Sequence, residues 1–282
     1  MSLHRFTQLI ITLVCVPLGN AIAGETLTLG VHPYKSASKI IKAYSPLADY
    51  LHQKLNMQVS ITIAPDYLTH IQKIGRDEID IAYLGPASYV EMVEKFGQKP
   101  ILARQAINGK PTFQGKIIIR NNSPYRSLSE LKGTRFAFGD PSSTMSHLVP
   151  RYMLIQSGVD TDQLASHSFL GSHDNVALAV LTGDYDAGAV KEAVFYKYKN
   201  KGLKVLASTP AFSEHLFVTR KNMPPELVQR LRGLLYVLHE SQQGRTILSR
   251  IKADITSMQP AADADYDNLR SVISQLKLQG IP

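Results

Sequence analysis

The sequence is nearly free of cysteine: Cys15 is the only one in 282 residues. It lies in a stretch that reads as a cleavable secretory leader. His4 and Arg5 form a short charged start, residues 9–18 an apolar core, and Ala21-Ile22-Ala23 a small-x-small cleavage site, giving a leader of residues 1–23. The neighbours of Cys15 do not form a lipobox. Cleavage after Ala23 leaves a mature chain without cysteine, which excludes disulfides and thiol chemistry. The apolar core is too short to stay in a bilayer as a span. No Lys/Arg block interleaved with aromatics is present, so no nucleic-acid partner is implied. There is no Gly-x-Ser-x-Gly elbow, no His/Asp cluster at metal-ligand spacing, no internal repeat and no low-complexity stretch. These absences leave an exported, cysteine-free chain expected in the periplasm, with no metal, no cofactor and no sign of self-association beyond a monomer.

What is present is a scattered positive charge and enough length for two modest domains. The formal charge is +8, and losing Arg5 with the leader leaves +7. Such a field fits an anionic small ligand or an anionic membrane surface. The central stretch runs from Gly139 to Pro150. An apolar run, Arg135-Phe136-Ala137-Phe138, reads as a buried strand, and residues 148–156 read as a helix closed by Ser157-Gly158. Ser142, Ser143 and Thr144 therefore sit where a strand turns into a helix. The first N–H groups of a helix have no internal partner, and that end is partly positive, so hydroxyls there can cap the helix or face an anion.

Around this stretch the pattern is β-α-β-α-β, then the same again. Strands are expected at 26–31, 58–63 and 79–83, with helices at 45–55, opened by Ser45-Pro46, and at 67–74 and 89–96. The second unit has strands at 116–120, 135–138, ending at 169, 186–190 and 204–207, and helices at 129–131 and 175–181. A strand at 216–219 follows, and after Pro224-Pro225 only helices are expected, at 226–240, 244–251 and 266–276. The reading is an α/β chain of two lobes, 24–112 with 214–282 and 113–213, crossed twice near 112–115 and 208–215. Ligands bind outside the carboxyl ends of such strands and in clefts between domains. Tyr83, which ends its strand at the cleft, and Tyr34 in the first post-strand loop are candidates on position alone.

Four segments occur in an order and spacing that resemble a known family. They are Ala64-Pro65-Asp66-Tyr67, the run Ile79-Asp80-Ile81-Ala82-Tyr83-Leu84-Gly85, Gly139-Asp140-Pro141-Ser142-Ser143-Thr144, and His173-Asp174-Asn175-Val176-Ala177-Leu178-Ala179-Val180. Together they resemble the phosphonate, phosphite and phosphate solute-binding proteins of ABC importers, the PhnD-like family, over nearly all of the mature chain. The resemblance implies a type II periplasmic binding protein fold and a bound phosphorus oxyanion (phosphate, phosphite, phosphonate or organophosphate). Ser143 and Thr144 match the first two hydroxyls of the family's oxyanion loop, Tyr67 its Tyr after Pro-Asp, and His173 its His before Ala-Leu-Ala-Val. Three positions depart from the family: Met145 replaces a third hydroxyl, Phe113 a Tyr, and His215 stands near an ammonium-binding acid, beside Glu214. A second such acid has only Glu192 nearby. These departures argue against an aminoalkylphosphonate and for a more negative ligand, held by neutral donors without a buried Lys or Arg. The implied partner is an ABC transporter permease; the alternative is a membrane sensor, a histidine kinase or diguanylate cyclase. An enzyme reading needs Ser143 as nucleophile and His173 as base, oriented by Asp174 or Asp186; it is the weakest of the three.

Overall fold

The computed structural model describes residues 26–281, so the expected leader lies outside the described residues. Strand β1 (Thr26–Val31) runs parallel to β2 (Gln58–Ile63) on one side and β3 (Ile81–Leu84) on the other. Helices α1 (Ala37–Leu55), α2 (Tyr67–Gly75) and α3 (Pro86–Phe96) alternate with them. Leu27, Leu29 and Val31 share one core with Ile40, Tyr44, Leu47, Leu51 and Leu55, the helical-period stripe of α1.

Helix α1 corrects the expected start at Ser45-Pro46. It begins at Ala37 and carries Pro46 in its interior. Ser45 is no cap: its hydroxyl donates back to the Ile41 carbonyl at 2.8 Å. Pro46 leaves the carbonyl of Lys42 without a helical donor, but Lys42 is exposed and water can serve it. Burial of Ile40 and Tyr44 holds the first half of the helix against a proline cost of about 3 kcal/mol.

Strands β4 (Ile101–Ile107), β5 (Thr112–Phe113), β6 (Gly115–Arg120) and β7 (Arg135–Phe138) lead to α4 (Val149–Gln156). Then come β8 (Ser166–Phe169), α5 (His173–Thr182), β9 (Ala187–Lys191), α6 (Glu192–Tyr198), β10 (Leu203–Ser208), β11 (Phe212–Ser213) and β12 (Leu216–Thr219). The chain closes with α7 (Pro225–Tyr236), α8 (Gln242–Ile251), β13 (Ile255–Gln259) and α9 (Asp267–Leu278). Two sheets result, in the orders β13-β4-β12-β3-β1-β2 and β10-β6-β9-β7-β8. The first is mixed, since β12 runs antiparallel to both β3 and β4 and β13 antiparallel to β4. Between the sheets the two crossing segments pair as a short antiparallel ribbon, Phe113 opposite Phe212 and Thr112 opposite Ser213.

Strand β13 overturns the expectation that only helices follow Pro225. Its sequence, Ile-Thr-Ser-Met-Gln, buries only Ile255 and Met258, too little for a periodic signal. Strand β4 and helix α6 were also invisible to the pattern. Both faces of β4 are covered, with Gln105 buried among its apolar residues, so no alternation appears. Helix α6 follows β9 with no turn residue between them.

Candidate ligand-binding site

Strand β7 ends at Phe138 and the chain turns sharply. The amide of Ser142 donates to Asp140 Oδ1 at 2.8 Å and that of Ser143 to the Asp140 carbonyl at 2.9 Å. The hydroxyl of Ser143 then accepts from Ser146 N–H at 3.2 Å, a cap. Residues Thr144–Leu148 form a wide π-helical turn before α4, the amides of His147 and Leu148 both reaching the Ser143 carbonyl. Helical structure thus starts earlier than the expected position 148. Ser146 is turned away from the cleft, donating to the Ala189 carbonyl in β9. Gly139 is required here: a Cβ on it would lie 2.7 Å from Ser146 Cβ. Thr144, only 6% exposed, accepts from Ala87 N–H at 3.0 Å. Ala87 lies in the first turn of α3 on the other lobe, so this hydrogen bond crosses the cleft. An acceptor on the threonine oxygen leaves its hydrogen free to donate.

Nine candidate residues singled out in the sequence line one cavity of about 290 Å³ between the lobes: Tyr34, Tyr67, Tyr83, Phe113, Ser143, Thr144, Met145, His173 and His215. Four helix starts reach it, through Tyr67 of α2, Gly85 and Ser88 of α3, Ser143 and Thr144, and Ser172 and His173 of α5. Each contributes partial positive charge to the same volume. The amides of Thr144 and Met145 donate to no acceptor among the described residues. The Ser88 hydroxyl is buried on the wall without a partner.

His173 is fixed as one tautomer. Its Nδ1 accepts from the backbone amide of Lys191 at 3.1 Å, which places the ring hydrogen on Nε2. Burial, followed by the charge of Lys191, holds its pKa well below the usual histidine range. The ring therefore stays neutral when it meets an anion, since a second proton would break the bond to Lys191. The same geometry removes the base from the enzyme reading, since His173 offers N–H rather than a lone pair. Asp174 is engaged by Lys197 and by the Tyr198 hydroxyl, and Asp186 by Arg135.

The opposite wall is aromatic and was only partly legible. His32 is 2% exposed, its Nδ1 has no partner, and its ring lies 5.0 Å from both Tyr34 and Tyr67 and 5.4 Å from Tyr83 and His215. Its place directly after β1 is the signal that could have found it. Tyr83 donates to Gln105 Oε1 at 2.9 Å, Gln105 Nε2 donates to Glu214 at 2.7 Å, and His215 Nδ1 donates to the same carboxylate at 2.8 Å. Burial alone would raise the Glu214 carboxyl; the hydrogen bond and charge of His215, with Lys252, hold it down to about 2. The Tyr67 hydroxyl has no hydrogen-bond partner among the described residues, and burial raises its pKa. Met145 packs against Thr209 at the crossing segment, with the Thr209 hydroxyl 3.5 Å from its sulfur.

Lysines also line the cavity, contrary to the expectation of a site without buried cations. Lys191 is partly buried at the end of β9, with Lys252 beside Glu214 at 3.9 Å and Lys35 at the rim. Burial and the neighbouring Lys252 pull Lys191 down to about 8. Among the described residues no group of three or more His, Cys, Asp or Glu side chains is arranged to hold a metal.

Two α/β lobes joined by paired crossing strands, with a polar cavity at the carboxyl ends of their strands, make this a type II periplasmic binding protein. Known proteins place it further. The family described as "ABC transporter, phosphonate, periplasmic substrate-binding protein" matches residues 29–266, and the chain belongs to it. It is 28% identical to the phosphate-import protein PhnD of Mycolicibacterium smegmatis, covering 88% of this chain and 85% of that one. To the phosphonates-binding periplasmic protein of Escherichia coli it is 24% identical, over 80% and 70%. PhnD1 of Prochlorococcus marinus, solved in complex with methylphosphonate, superposes with a TM-score of 0.81 at 21% identity, covering 90% and 98%.

Proposed function

We propose that this protein captures a phosphorus oxyanion in the periplasm and delivers it to an ABC importer. The observation that carries the reading is the convergence of four helix starts on one cavity, with unpartnered N–H and O–H donors. In this account Ser143, Thr144, Tyr67 and the Nε2–H of His173 donate to the oxyanion, with the Thr144 and Met145 amides completing the cradle. Phe113 and Met145 form its apolar wall, while Tyr83 and His215 hold the Glu214 network in place. Neutral donors and helix ends make the contacts to the anion, so the site releases its ligand when the lobes part. Residues 24–112 with 214–282 make one lobe and 113–213 the other, hinged at the ribbon of β5 and β11. The leader is removed after Ala23, and the mature monomer works in the periplasm.

Import is favoured over sensing because the family itself is defined by ABC transport. A thermal-shift series with phosphate, phosphite, methylphosphonate and sulfate tests the ligand class. The phosphorus compounds should raise Tm in proportion to RT ln(1 + [L]/Kd), and sulfate should do so less or not at all. No shift with any phosphorus oxyanion would reject the reading.

A further inference from the structure

The oxyanion cradle does not account for Lys191. Its backbone amide holds His173 from the Nδ1 side, while the reading above gives the oxyanion the Nε2–H. Its ammonium lies over the ring of Tyr34, 5.7 Å from the centroid, and Lys35 reaches the same ring from the other lobe at 5.3 Å. Among the described residues neither lysine has a carboxylate within 4 Å: Asp174 is taken by Lys197, and Glu214 by His215 and Gln105. Two cations brought to one ring from opposite lobes repel each other, and a partly buried ammonium without a counter-ion is unfavourable.

The cavity also continues in this direction. A second cavity of about 260 Å³ shares Lys191, Glu214, Lys252 and Asp254, among others, with the first, and its further lining includes Lys110, Glu192 and Tyr196. An oxyanion in the cradle would thus have its substituent directed past Lys191. Resting on the oxyanion reading above, we propose that the natural ligand is a phosphorus oxyanion whose organic substituent ends in a carboxylate, received by Lys191 with Lys35 closing over it. Charge-assisted pairing with a partly desolvated ammonium is stronger than a neutral contact, so the carboxylate sets specificity while the cradle supplies the common affinity.

Calorimetric titration of the mature protein with phosphate, methylphosphonate, phosphonoacetate, 3-phosphonopropionate and 2-aminoethylphosphonate tests this. At least one phosphonocarboxylate should bind roughly tenfold or more tighter than methylphosphonate, and 2-aminoethylphosphonate weaker than it. Lys191→Met should abolish the advantage of the carboxylate while leaving methylphosphonate within about threefold. Lys191→Glu should invert the order and favour 2-aminoethylphosphonate, a gain that a misfolded variant cannot give. If methylphosphonate binds but the carboxylates bind no tighter, or if Lys191→Met weakens both alike, Lys191 belongs to the cradle and this proposal falls alone. If no phosphorus oxyanion binds, the cradle reading fails and takes the proposal with it.

Discussion

At the scale of single residues, His173 shows how a backbone bond decides chemistry. Lys191 N–H can only donate, so the imidazole nitrogen facing it must accept, and the other nitrogen must carry the hydrogen. Nitrogen NMR at pH 7 should therefore find His173 neutral and in the Nε2–H form; a protonated Nδ1 would contradict the assignment. The identity of this residue was legible from the His before Ala-Leu-Ala-Val, because a motif records which side chain is used. Its tautomer was not, because Lys191 lies eighteen residues away at the end of a strand. His32 and Lys191 were missed for a related reason. Neither belongs to a motif, and only the pairing of β1 with β3 and of β7 with β9 brings the residue after β1 and the end of β9 to one cavity.

Among elements, the turn from Gly139 to Leu148 does most to shape the site, and two glycines separate its shape from the space it encloses. Gly139→Ala forces a methyl into Ser146, which is held by its own hydrogen bond to Ala189 and by the Gly139 amide. Overpacking of this kind costs about 1–3 kcal/mol, so Tm and ligand affinity should fall together. Gly85→Ala is different. Its Cβ would meet His215 Nε2 at 3.5 Å and His32 Cε1 at 3.6 Å, ordinary contacts that displace nothing. Tm should stay near wild type while the added methyl narrows the cavity and weakens binding, measured by calorimetry on both variants. The sequence pattern recovered elements with one exposed face, such as α2 and α5, because apolar and polar positions alternate at the helical period. It misjudged α1, where tertiary burial overrides Pro46, and it passed over β4 and β13, whose burial leaves no alternation to read.

For the molecule as a whole, buried histidines predict how stability depends on pH. Burial pulls His70 and His147 down to about 4, and His32 and His173 also lie well below the usual range. An unfolded chain protonates these rings near pH 6.5, so below that pH it binds more protons than the native state, and stability falls as pH drops toward 4. His70 and His147 each contribute on the order of 3 kcal/mol to that loss. Urea unfolding at pH 7 and pH 4.5 should show a clear drop in midpoint, and equal midpoints would contradict the account. The two-lobed arrangement was legible because the β-α-β pattern restarts after residue 112, whereas the hydrogen bond from Ala87 to Thr144 across the cleft was not, since no local pattern links them. That bond gives the most direct test of the oxyanion cradle. Methylphosphonate and phosphate should be titrated calorimetrically into the wild type, Thr144→Val and Thr144→Ser. The account predicts saturable binding to the wild type, a loss of roughly 10- to 150-fold for valine from one charge-assisted hydrogen bond, and recovery with serine. Unchanged affinity in Thr144→Val, with only its melting temperature lowered, would mean that the hydroxyl merely joins the two helices.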